Sequence, residues 1–126
     1  MVRAGVVLVT ALLGGCAGFG QIEQVEDLSP HQLRSLNSLE LYESESELQG
    51  LSYTNIGRIK GLSCKGSAVS GSASREGAMT QLQIKAVLEE ANGILFPTCS
   101  HDASVDWGNN CWESWVCVGE ALRVER

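Results

Sequence analysis

Short apolar runs alternate with polar stretches along this chain, and one stretch past the middle has helical spacing between strand-like runs. Residues 39–42 (LELY) alternate apolar and polar, the two-residue period of a half-buried strand. Residues 53–62 (YTNIGRIKGL) alternate again around Ile56 and Ile59 and predict a second strand. Gly57 and Gly61 permit a bend or a close backbone approach within it. Over residues 75–92 the spacing becomes helical. Gln81, Lys85, Glu89 and Asn92 fall on one side, and Met79, Leu82, Ile84, Ala86, Val87, Leu88 and Ala91 cover most of the rest. Such a helix packs on a sheet, and Gly93 stands just past its end as a natural stop. Residues 94–96 and 115–118 are short runs of β-branched and aromatic side chains, the composition of buried strands.

The connecting stretches are legible too. Ser44 with Glu47 three residues on has the form of a capping box and predicts a single helical turn at 44–48. Residues 66–74 (GSAVSGSAS) are a small, polar loop with cap candidates at Ser72 and Ser74; they lack the lysine and spacing of a phosphate-binding loop. A polar segment with Gly108, Asn109 and Asn110 joins the last two strands into a long-looped hairpin. The order strand, strand, helix, strand, strand predicts an α+β fold, a small sheet of about four strands packed against one long helix and stapled by two disulfides.

The ends alter this picture. Arg3 followed by the apolar residues 4–13 forms a segment too short to span a bilayer. It closes on Leu13-Gly14-Gly15-Cys16, which matches the lipobox of bacterial lipoproteins; the plainer alternative is an ordinary secretory signal that contains a cysteine. Residues 1–15 are therefore assigned to a lipoprotein signal peptide, and Cys16 to lipid attachment. Residues 16–38 are read as a lipidated start and an acidic tether, flexible or weakly helical, and residues 39–126 as the folded domain. Loss of Arg3 with the leader takes the formal charge from −6 to −7. That balance disfavours nucleic acid and anionic headgroups as partners. Ala17 after the cysteine, where an aspartate would retain a lipoprotein at the inner membrane, points by analogy to the outer one.

Cys64, Cys99, Cys111 and Cys117 remain once Cys16 is set aside, and an even number in an exported chain reads as two disulfides. No CxxC pair is present, which disfavours a zinc knuckle and a redox-active pair. Three connectivities are open; the hairpin sets Cys99 beside Cys117 and leaves Cys64 for Cys111. No nucleophile motif accompanies His101-Asp102, placed in the loop between Cys99 and Cys111, and no catalytic site or cofactor is expected. Trp107 and Trp112 are candidate partner contacts, or they fold over their own bridge, while Trp115 packs in the hairpin.

Residues 57–64, the junction KAVLEEANGILFPTC and the ending CWESWVCVGEAL resemble the RcsF family of outer-membrane lipoproteins. The likeness runs from about residue 39 to 124 and includes the lipobox. It implies lipidation at Cys16, the pairs Cys64–Cys111 and Cys99–Cys117, and dependence on a periplasmic disulfide isomerase, because the bonded cysteines are not consecutive. It further implies a non-enzymatic sensor of envelope stress for the Rcs phosphorelay. Such a sensor is held in the outer membrane with its domain in the periplasm, and its partners are BamA or other outer-membrane barrels and the inner-membrane regulator IgaA. The family's tether is longer and rich in proline; here Pro30 is its single proline. The alternatives are a small structural or assembly lipoprotein that does not signal, and a thiol oxidoreductase with a reactive cysteine pair.

Overall fold

The computed structural model describes residues 25–65, 73–102 and 113–125. After a 3-10 turn at Val25–Asp27 come helix α1 (Pro30–Ser38), strand β1 (Glu40–Tyr42), a 3-10 turn at Glu45–Leu48 and strand β2 (Tyr53–Lys65). Helix α2 (Arg75–Leu88), strand β3 (Gly93–Asp102) and strand β4 (Glu113–Val124) follow. The four strands form one mixed sheet in the order β1-β3-β4-β2, with β1 parallel to β3 and the other neighbours antiparallel. The fold is α+β, as its sequence predicts, with the parallel β1–β3 pair and a second helix added.

Side chains alternate across the sheet, so each face has its own core. On the helix face Ile94, Cys117 and Ala121 meet Ala78, Leu82 and Ala86 of α2, together with Ala91. On the other face Leu95, Leu122 and Val124 meet Tyr42 of β1 and Leu48. The 3-10 turn that carries Leu48 is held by the capping box read from the sequence: the Glu47 carboxylate accepts from the backbone N–H groups of Glu43 and Ser44.

Three departures from the sequence reading have physical causes. Residues 30–38, in the tether read as flexible or weakly helical, form the nine-residue helix α1. Ser29 Oγ accepts from the Gln32 N–H at 3.1 Å, Gln32 Oε1 accepts from the Ser29 N–H at 2.9 Å, and Pro30 stands in the first turn. α1 lies against α2. Secondly, the two central strands are longer than their apolar runs: β3 and β4 continue as Thr98, Ser100 and Asp102 pair with Val118, Val116 and Ser114.

The third departure is that α2 stops at Leu88, 14 residues long, short of the expected Asn92. Its stop is not Gly93, which opens β3, but Glu90 at φ 61°. The Ala91 N–H donates to the Ala86 carbonyl and the Glu90 N–H to the Val87 carbonyl, both at 2.9 Å. This is a Schellman end with glutamate where glycine is usual. The freed Asn92 side chain then bonds both ways with the backbone of Val124, each at 2.7 Å. A left-handed conformation costs a residue with a Cβ about 1–2 kcal/mol, partly offset in a glycine variant by greater chain freedom when unfolded. Glu90→Gly is therefore expected to raise stability by roughly 0.5–1 kcal/mol, read from the urea midpoint. The Arg123–Glu90 ion pair it removes is long, at 3.9 Å, and exposed, so its loss weighs little.

Candidate functional site

The β3–β4 hairpin gathers the chemistry-bearing residues. Cys99 and Cys117 are direct partners in its register and share a disulfide, with their Cα atoms 4.0 Å apart. Cys117 is fully buried, and its sulfur lies 3.8 Å from the Arg75 carbonyl, so the bridge sits under the first turn of α2. Ser74 caps that turn: its Oγ accepts from the Gly77 N–H, while the Ser74 N–H donates to Ser63 Oγ of β2, each at 3.0 Å. Helix start, β2 and bridge are thereby fixed together. Of the two expected disulfides this is the one seen whole. Cys64 is also disulfide-bonded, and Cys111 lies outside the described residues.

Two register positions beyond the bridge, His101 faces Trp115. The two rings lie 5.0 Å apart at 42°, and His101 Nε2 is 3.0 Å from Glu113 Oε1. His101 and Asp102 are thus residues of β3 rather than of the loop, because the ladder runs to the end of the polar alternation. The imidazole is exposed and directed at a carboxylate and an indole. Among the described residues no group of three His, Cys, Asp or Glu side chains is placed to hold a metal ion. Cys16, Trp107 and Trp112 lie outside the described residues.

Sequence reasoning missed Phe96. It sits at φ 54° in a bulge of β3 between Leu95 and Thr98, and the residue is 43 % exposed. The following Pro97 has no N–H to give the ladder, which is why the strand tolerates a bulge there. The ring borders a shallow groove of about 220 Å³ lined by Arg58, Leu95, Thr98, Val118, Gly119 and Glu120 on the sheet face opposite α2. The adjacent Phe-Pro pair was its signal, since it interrupts a run of good strand formers.

A one-helix-covered mixed sheet with a buried cross-strand bridge defines a small disulfide-stapled domain, of the kind that persists in oxidising compartments. The model of the family described as RcsF lipoprotein matches residues 20–125, and the chain belongs to that family. It is 25 % identical over 129 residues to the outer membrane lipoprotein RcsF of Escherichia coli strain K12, an alignment covering 94 % of each chain. The same figures hold against the outer membrane lipoprotein RcsF of Escherichia coli O6:H1 strain CFT073.

Proposed function

We propose that this protein is an outer-membrane lipoprotein that senses envelope stress and signals to the Rcs phosphorelay through protein–protein contacts, without catalysis. The observation that carries the reading is the family match over residues 20–125, with relatives named as outer membrane lipoproteins aligned along nearly their whole length. The lipobox ending in Cys16 supplies an anchor. Acyl chains give stable attachment only in combination, at about 0.8 kcal/mol for each buried methylene, and lipoprotein processing adds more than one. Cys64 pairs with Cys111 in this reading: Cys99 and Cys117 take each other, and Cys111 is the head's remaining cysteine. BamA or another barrel, and IgaA, are the proposed partners, with Trp107 and Trp112, which lie in sequence between β3 and β4, as contacts.

Deleting the gene in its host is expected to abolish induction of a capsule-type phosphorelay reporter under envelope stress; unchanged induction would count heavily against signalling. Cys16→Ser is expected to lose the acyl mass by mass spectrometry and to leave the membrane fraction. Retention there would remove the anchor from the reading.

One observation favours the second reading, an assembly lipoprotein that does not signal. Because α1 begins at Pro30, only residues 17–29 separate the anchor from folded helix, and they span at most about 45 Å fully extended. The head is then kept close to the membrane that holds it. Intact reporter induction together with defective outer-membrane assembly in the deletion strain would select that reading.

A further inference from the structure

Strand β2 ends the sheet. It pairs with β4 alone, and its other edge carries no strand among the described residues. At 13 residues it is a long edge, of a length that proteins ordinarily shorten, bend or blunt with charge. A bulge between Asn55 and Gly57 does bend its beginning, but from Arg58 to Lys65 the pairing with β4 is regular.

The chemistry of this edge differs from that of the rest of the chain. Acidic residues outnumber basic ones by fifteen to nine overall, yet β2 contains Arg58, Lys60 and Lys65 and no acidic residue. Arg58 and Lys60 are two positions apart and share the face opposite Gly61, which meets α2. Both are exposed, and among the described residues neither side chain makes a hydrogen bond or ion pair, although Glu120 stands opposite Arg58 in register. Leu51 and Tyr53, where the edge begins, are each 42 % exposed.

Edge cations repel strand addition, but the repulsion is selective. A second copy of β2 pairing with the first would set Arg58 and Lys60 against themselves, and like charges directly opposite destabilise a sheet. A neutral strand would crowd two cations without answering them. A strand with carboxylates at alternate positions turns both into cross-strand pairs and gains the main-chain bonds of the bare edge. We propose that the free edge of β2 takes up an extended acidic segment of a partner protein as a fifth strand, its carboxylates beside Arg58 and Lys60. Whether or not the protein signals, the edge offers this site.

The test uses the detergent-solubilised full chain and a capped seven-residue probe, Thr-Glu-Val-Glu-Val-Glu-Thr. Two further probes carry lysine for glutamate, or proline at the centre. With the acidic probe, hydrogen exchange is expected to slow at the β2 amides that do not bond β4. The lysine and proline probes leave those amides unprotected. Arg58→Glu with Lys60→Glu is expected to weaken the acidic probe by about tenfold or more and to give binding to the lysine probe instead. Both positions are exposed, so an unchanged circular dichroism spectrum confirms that the variant folds. Absence of protection at millimolar acidic probe overturns the proposal. So does equal binding of the acidic and lysine probes, or equal protection by the proline probe, which would mean charge attraction without strand addition.

Discussion

Gly61→Ala is expected to destabilise the domain by about 3 kcal/mol or more, because among the described glycines its added methyl meets the tightest backbone contacts. An ideal Cβ at residue 61 would lie 2.3 Å from the Ala78 carbonyl oxygen, 2.3 Å from the Leu82 nitrogen and 2.9 Å from the Leu82 Cα. All three are backbone atoms of α2, so no rotamer change or side-chain truncation relieves the overlap. Strand and helix must separate by about an ångström to restore ordinary contact, and the contacts around Ala78 and Leu82, both fully buried, open with them. For a domain of roughly 100 residues the loss corresponds to about 15 °C in melting temperature. Thermal and urea melts followed by far-ultraviolet circular dichroism provide the measurement. Gly57→Ala is the contrast: that Cβ meets nothing within 4 Å, and its cost comes only from φ 138° at the bulge. A change below 1 kcal/mol for Gly61→Ala would mean that α2 does not rest on the β2 backbone.

Gly61 shows which parts of this fold can be read from sequence and which cannot. A glycine within an alternating strand signals close approach, and the period change to 3.6 at Arg75 signals the helix that approaches it. Local rules of this kind also locate the Ser44–Glu47 turn and the Ser74 cap. They reach α1 as well, since Ser29, Pro30 and Gln32 spell a helix start. Pairings made at a distance are different. Three residues of β1 carry no mark that they run parallel to β3, a partner some fifty positions away. Glu90 and Phe96 take left-handed conformations that their side chains disfavour, because packing around Asn92 and Pro97 decides there against local preference. The polar alternation of Thr98 and Ser100 is too weak to predict a strand, and β4 supplies the ladder that makes one.

That dependence of outer β3 on β4 gives the disulfide its weight. The pairing of β1 with β3 ends at Leu95, and the bulge at Phe96–Pro97 interrupts the ladder on the other side. Among the described residues, the strand from Thr98 to Asp102 pairs with β4 alone, and the Cys99–Cys117 bridge is the covalent tie within that stretch. Replacing both residues, Cys99→Ala with Cys117→Ala, is expected to cost about 3 kcal/mol, the loop-closure value for a bridge spanning 18 residues. Marginally stable domains hold only about 5–15 kcal/mol, so this is a large share. Two readouts separate the causes. Lost constraint on the unfolded chain exposes more surface on unfolding and steepens the urea dependence along with lowering its midpoint. A purely packing effect, from the sulfur missing at the buried Cys117 position beside Ala78 and Leu82, lowers the midpoint at unchanged slope. Cys117→Ser alone is expected to fare worse than the double variant under oxidising conditions, because it leaves the Cys99 thiol free to attack the disulfide that Cys64 forms. If the double variant unfolds within 1 kcal/mol of the native protein, outer β3 is held by its ladder and not by its bridge.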